Sequence, residues 1–413
     1  MHATPPATPP ATASGGGILR QPMSVWATAF AAVVAFMGIG LVDPILPAIA
    51  ENLRATPNQV SLLFTSYFLI TAVAMLVTGW VSSRIGGKRT LMIGLALVVL
   101  FAALAGTSDT VGALVGFRAG WGLGNALFVA TALAVIVGAA SGGAESAIIL
   151  YEAALGLGIS MGPLVGALLG DLDWRYPFFG TAALMAVGFL LITTLLKAPP
   201  KPAVPTPLSA PIRALRHGGL STTAFTALFY NYAFFTVLAF TPFVLDMDAH
   251  GIGFVFFGWG VLVALSSVFA APVLQRRFGT VRVMHAGLVL LALFQLGIAV
   301  SGHAGIVAFT ILSGVPIGMN NTAFTEAAME VSDNPRPVAS AGYNFVRWLG
   351  GALAPYIATK VAEHTNDSMP YVIGAACCAV AVAILLVRRR HLAPLERVDI
   401  DHTFQESPLP TQA

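Results

Sequence analysis

Charge is what this chain has least of. Only 9% of its 413 residues are Asp, Glu, Lys or Arg, against roughly a quarter in soluble domains, while 57% are hydrophobic. Such a chain cannot coat a water-soluble body, so it reads as an integral membrane protein. Cysteine is nearly missing: Cys377 and Cys378, adjacent in an apolar run, exclude a disulfide framework and a cysteine metal site and are read as packing residues. No histidine falls deep in an apolar run; His250, His303 and His364 sit at expected outer loops and His285 near a cytoplasmic helix end. HExxH, GxSxG and a Gly-Lys-Ser/Thr phosphate loop are lacking, so neither intramembrane hydrolysis nor ATP-driven work finds support. The chain is therefore not expected to be an enzyme or to hold a metal or cofactor. Its net charge of +3 is spread over helix ends without a basic face, which speaks for membrane topology and against a nucleic-acid partner.

What is present is a series of apolar runs of about 20 residues, each long enough to cross a bilayer. They fall near 24–50, 58–81, 90–106, 110–137, 146–170, 175–197, 220–245, 253–274, 282–301, 304–329, 338–361 and 370–387. The expected architecture is all-α, with residues 1–23 a disordered cytoplasmic tail and 24–197 a first six-helix half. A Pro-rich cytoplasmic linker follows at 198–219, then a second half at 220–387 and a basic tail at 388–413. Lys and Arg cluster on one side, in the segments around Arg84, Lys88 and Arg89, the linker, and Arg388, Arg389 and Arg390, whereas the other side holds only Arg54, Arg175 and Lys360. Both termini are thus expected inside.

The two halves resemble each other. Arg84-Ile85-Gly86 recurs 193 residues later as Arg277-Phe278-Gly279; Gly120 and Gly124 align with Gly314 and Gly318 at an offset of 194; Tyr151, Gly158 and Pro163 align with Tyr343, Gly350 and Pro355 at 192. Twelve helices in two pseudo-symmetric six-helix halves is the major facilitator arrangement.

Motifs sharpen that reading. Tyr151–Gly170 interrupts an apolar helix with Gly156, Gly158, Gly162, Pro163 and Gly166. A mid-helix proline costs about 3 kcal/mol in water, but in a bilayer neighbouring helices can satisfy the freed carbonyl, and glycines admit close backbones. The stretch resembles the antiporter motif G-x-x-x-G-P-x-x-G-G of major facilitator drug/proton antiporters, with Ala167 in place of the last glycine. GWVSSRIGGKRT resembles the superfamily's G-x-L-A-D-R-x-G-R-K-R loop at Gly79, Arg84, Gly86, Lys88 and Arg89. Ser83 replaces the usual aspartate, and it could cap a facing helix N-terminus near Ser340. Arg118 and Gly122 resemble the family's R-x-x-x-G, and Pro44 and Pro47 its P-x-x-P. Because the copy at Tyr343–Pro355 has Ala354 and Ala358 where the first half has Gly162 and Gly166, the dense glycines belong to the first half alone. The stretch is expected to seal an interface between the halves.

Asp43 and Arg118 each lie roughly 12 Å in from the same face at 1.5 Å per residue. An intramembrane arginine is functional by default, so Asp43 is read as a protonatable carboxylate whose charge Arg118 holds; the plain alternative is that Asp43 caps or hydrates a helix end. Glu152 and Glu326 are the other acids within apolar runs, each a coupling candidate, with an interfacial role equally open for Glu326. Arg347 could serve either as counter-ion. Tyr230, Asn231, Tyr232, Asn320, Asn321 and Thr325 offer amides, hydroxyls and rings to an amphipathic, often cationic ligand.

The resemblance implies a proton-coupled multidrug efflux antiporter working by alternating access, powered by the proton gradient. Its partners would be small-molecule substrates, protons and the lipid bilayer, and it is expected to act as a monomer. A transporter of one metabolite such as a sugar or amino acid is the nearest alternative, and a membrane sensor or enzyme the remote one.

Overall fold

A computed structural model describes residues 21–139, 144–197, 205–393 and 395. Nearly all of the expected N-terminal tail, residues 198–204 of the linker and most of the C-terminal tail lie outside these. The described residues contain no strand, in keeping with a bilayer, where a helix satisfies its own backbone groups without water. The long helices are α1 (Met23–Asn52), α2 (Pro57–Ile85), α3 (Gly87–Gly106), α4 (Val111–Ala139), α5 (Ala144–Gly170), α6 (Tyr176–Leu195), α7 (Gly218–Phe243), α8 (Ala249–Phe278), α9 (Thr280–Val300), α10 (His303–Glu330), α11 (Arg336–His364) and α12 (Met369–Val387).

Eleven of these have both the length and the apolar composition to cross a membrane, and α11 alone falls short. It carries Arg336, Arg347, Lys360 and Glu363 and is shielded between α2 and α7. Two other helices are interrupted. α1 breaks after Gly40 into a 3-10 turn, Asp43–Ile45, before resuming at Leu46; Pro44, which lacks an N–H, sits in that turn. α8 widens into a π turn at Ser266–Ala270.

Within the first six helices α1 packs on α4, α5 and α6, and α3 on α4 and α6; within the second six α7 packs on α11 and α12, and α9 on α10 and α12. The two halves meet along two long seams, α2 against α11 and α5 against α8.

The packing corrects the register of the internal repeat. A Cβ added to Gly122 would strike the carbonyl of Tyr67 on α2, and one added to Gly314 would strike the carbonyl of Trp259 on α8. Both pairs lie 192 residues apart, so Gly314 answers to Gly122 rather than to Gly120. Gly86 and Gly279, which end α2 and α8, lie 193 apart and share a left-handed backbone, φ 93° and 85°. The extra residue is accommodated by the π turn of α8, which lies between these two landmarks.

Small residues decide how closely helices cross. Gly94 and Gly124 face each other where α3 meets α4, each Cβ position lying 2.7 Å from the other's carbonyl oxygen. On α5 the glycines divide between two neighbours. Gly158, Gly162 and Gly166 lie against Val33, Met37 and Leu41 of α1, inside the first half, whereas Gly156 faces Ala264 of α8. The expectation that the whole stripe seals the halves is thus corrected: four-residue spacing keeps Gly158, Gly162 and Gly166 on one helix face, and α1 occupies that face. The seam with α8 uses Gly156, Ser160, Pro163 and Ala167 against Ala264, Gly260 and Gly253.

Candidate proton-coupling and substrate site

Arg118 is fully buried on α4. Its guanidinium lies between the rings of Tyr67 and Trp121, 4.5 Å from each centroid, and its Nη1 donates to the carbonyl of Gly38 at 3.4 Å. Trp121 reaches the same side of α4 because it follows Arg118 by three residues, and Gly38 leaves room for it: a Cβ there would stand 2.8 Å from the indole. Nε and Nη2 of Arg118 have no hydrogen-bond partner.

Asp43, at the start of the 3-10 turn of α1, is also fully buried, and neither carboxylate oxygen has a hydrogen-bond partner. It looks onto Gly40, whose Cβ position is 3.4 Å from Oδ2 and 3.1 Å from Cδ of Pro163. The broken helix, the proline of α5 and the carboxylate thus converge. Asp43 and Arg118 approach closely enough to interact electrostatically, yet the ion pairs among the described residues are Arg175–Asp109, His250–Asp171 and Lys360–Glu363. Burying both groups without a direct bond is costly.

A second polar group spans the C-terminal half. Arg347 donates from Nε to Oδ1 of Asn231 at 3.3 Å and from Nη2 to Oδ1 of Asn321 at 3.1 Å. Asn231 returns a bond to the carbonyl of Arg347 at 3.1 Å, and the Tyr230 hydroxyl lies 3.0 Å from Oδ1 of Asn321 and 2.8 Å from the carbonyl of Ile317. Of the sequence candidates, Tyr230, Asn231 and Asn321 are therefore brought together, with half-buried Thr325 one turn beyond Asn321. Tyr232 stands apart, its backbone beneath Gly350 and its buried hydroxyl without a partner. Asn320 also stands apart: it is buried against Gly287, where its amide, turned to suit its neighbours, bonds to Met284 and Leu288 of α9.

Glu326 is exposed near the end of α10 and accepts from Nε2 of Gln275 at 2.6 Å, so Arg347 is not its counter-ion. The side chain of Glu152 lies outside the described residues. Beside Arg347, Trp348 stacks on Phe68 of α2 at 5.1 Å, and Phe235 of α7 lies 4.3 Å from Phe68. Sequence reading missed Tyr67 and Trp121 around Arg118 and Phe68 and Trp348 at the seam; the three-residue step from Arg118 to Trp121 was the available signal.

The loop after α2 ties the end of the bundle that carries the termini. Lys88 donates to the carbonyls of Thr193 and Leu196 at the end of α6. Arg84 lies over Trp80 and donates to Thr206 of the linker at 3.5 Å, Gly79 faces the same threonine, and Arg89 is exposed. Ser83 accepts from the backbone N–H of Thr206 at 3.1 Å. Its partner is therefore the linker and not the N-terminus of α11, because the linker segment reaches the serine first. At the opposite end the halves are joined directly, by Ser61 and Thr359, by Thr65 and the carbonyl of Ala352, and by Asn58 and Thr359.

Two six-helix repeats that meet along two seams, with ionisable groups buried between helices, form the framework of a secondary transporter. Residues 28–355, and in a second match 220–401, fit the model of the Major Facilitator Superfamily. The chain is 50% identical over 382 residues, 92% of its length and 96% of the relative's, to the multidrug efflux protein YfmO of Bacillus subtilis. It is 23% identical over 372 residues, 86% and 93% of the two lengths, to multidrug resistance protein 1 of the same organism. Its fold resembles that of a D-xylose–proton symporter with a TM-score of 0.74 at 15% identity, over 88% of this chain and 96% of that one. The chain belongs to the major facilitator superfamily and is a membrane transporter, not an enzyme.

Proposed function

We propose that this transporter is a proton-driven antiporter that exports amphipathic small molecules, cationic ones among them, from a bacterial cell. The observation that carries the reading is the buried carboxylate of Asp43 beside the buried guanidinium of Arg118, with no direct bond between them. Protonation discharges Asp43 and ends its attraction to Arg118, which changes the relative stability of the two arrangements of α1, α4 and α5. Alternating access follows if those arrangements differ in which end of the bundle is closed. Here the direct hydrogen bonds between α2 and α11 lie at the end away from the termini, in keeping with a cavity open towards the termini.

Lys and Arg retention supports a cytoplasmic-membrane orientation with both termini inside. The drug-export names of the relatives and the cluster of Phe68, Phe235 and Trp348 support amphipathic cargo; in this reading the proton gradient is the energy source and the monomer the working unit. Inverted vesicles carrying the protein should take up several unrelated amphipathic dyes when the lumen is acidified, and release them when the gradient is collapsed. Uptake of a single metabolite, or dye uptake indifferent to the gradient, would overturn the proposal.

A further inference from the structure

Arg347 sits near the middle of α11 and is half-buried. Its bonds go to neutral amide oxygens, those of Asn231 and Asn321, and its other neighbours are the faces of Tyr343 and Trp348 at 5.8 and 5.5 Å. Among the described residues no carboxylate lies within ion-pair distance of it. A cation in the middle of a membrane bundle is expensive and points to function.

The two arginines of the interior differ in what they can still do. Arg118 is closed in on both faces and has Asp43 nearby. Arg347 keeps exposure, and a guanidinium has five N–H donors in a fixed fork, of which the two amides take two. Those amides also fix its aim: Asn231 bonds back to the Arg347 carbonyl, and Asn321 is held by Tyr230, whose ring stacks on Phe324 at 5.5 Å. A fork held this way is set to receive a carboxylate through two parallel bonds. Next to it, the stacked Trp348 and Phe68 provide an apolar aromatic surface.

We infer that Arg347 is the anchor for a carboxylate on the transported molecule, so that the cargo includes aryl carboxylates, zwitterions among them, with the aromatic body on Trp348 and Phe68. This rests on the export reading above, in which the centre of the bundle is the substrate site.

The test compares rhodamine B, a zwitterion with a free aryl carboxylate, with its ethyl ester, a plain cation of nearly the same shape. Binding to the purified full chain in detergent is followed by fluorescence polarisation for the wild type, Arg347→Gln and Arg347→Lys. Arg347→Gln should weaken the acid by about tenfold or more, the scale of a charge-assisted pair, and leave ester binding in place, which also reports that the variant is folded. Arg347→Lys should fall between, having charge without the fork. Equal weakening of both dyes, no change in either, or no saturable binding of the acid to the wild type overturns the anchor. A proton-gradient assay in proteoliposomes separates this from the export reading. Acid binding that needs Arg347, with neither dye moved, keeps the anchor and removes antiport; gradient-driven movement of the ester, with acid binding indifferent to Arg347, does the reverse.

Discussion

The hydroxyls of Ser61 on α2 and Thr359 on α11 meet at 3.1 Å and join the two halves of the transporter. At the repeat offset of 192 their counterparts are Gly253 on α8 and Ala167 on α5, which also face each other. One seam is therefore laced by hydrogen bonds and the other is closed by small residues. If the hydroxyl-laced end must part during each cycle, tying it shut stops transport. With Cys377 and Cys378 replaced by alanine, the pair Ser61→Cys and Thr359→Cys should form a disulfide under mild oxidation, given hydroxyls already in contact. Dye efflux should then fall to background and return on reduction, read in the same vesicles. Continued efflux by the oxidised pair would mean that this end does not open.

Gly162 makes a separate prediction, about assembly within one half. A Cβ at Gly162 would stand 2.6 Å from the carbonyl oxygen of Met37, so even Gly162→Ala has to push α1 from α5. Overpacking of this kind costs about 1–3 kcal/mol. The same change at Gly156 meets only Ala264, with its Cβ at 3.0 Å and its Cα at 3.6 Å, across the seam between halves. Thermal unfolding in detergent should show a clear drop for Gly162→Ala and a smaller one for Gly156→Ala. The latter should act more on transport rate than on unfolding temperature.

The helical architecture was largely legible because a bilayer makes each span about 20 apolar residues long, a signal that is weakest in α11, where Arg336, Arg347, Lys360 and Glu363 dilute it. Pairings were harder. The glycines of α5 announced close packing, but which neighbour each one meets depends on helix rotation, and only Gly156 turned out to face the other half. Asp43 and Arg118 could be set at one depth from rise per residue, whereas the Tyr67 ring over the guanidinium comes from another helix with no fixed spacing to it. The π turn of α8 left one trace in the sequence, the step in repeat offset between Trp259 and Gly279. Ser83 was read as the cap of a facing helix, but it accepts instead from the backbone N–H of Thr206, a linker residue distant in the sequence and outside any helix.

Gly86 and Gly279 test whether the repeat is one of conformation as well as sequence. Their φ and ψ, 93° and 152° at Gly86 and 85° and 147° at Gly279, fall where essentially only glycine is at ease. Each turn is thus specified by its glycine. Gly86→Ala and Gly279→Ala should each destabilise the protein by about 1–3 kcal/mol, seen as lowered unfolding temperatures of similar size. An unchanged value for either would mean that its turn relaxes to another conformation at no cost.

Asp43 separates proton coupling from substrate movement. The aspartate and asparagine side chains have the same shape, and the site around Gly40 and Pro163 holds no hydrogen bond to either carboxylate oxygen. Asp43→Asn should therefore insert and fold as the wild type does. What it removes is the charge that Arg118 attracts, together with the ability to gain and lose a proton. Efflux against a concentration gradient should fall to background in this variant, while exchange of labelled for unlabelled dye across the vesicle membrane, which needs no net proton movement, should persist. Loss of exchange as well would make Asp43 part of substrate binding or of the conformational step itself. Undiminished uphill efflux would assign the proton to another acid, and Glu152 on α5 would be the next to replace.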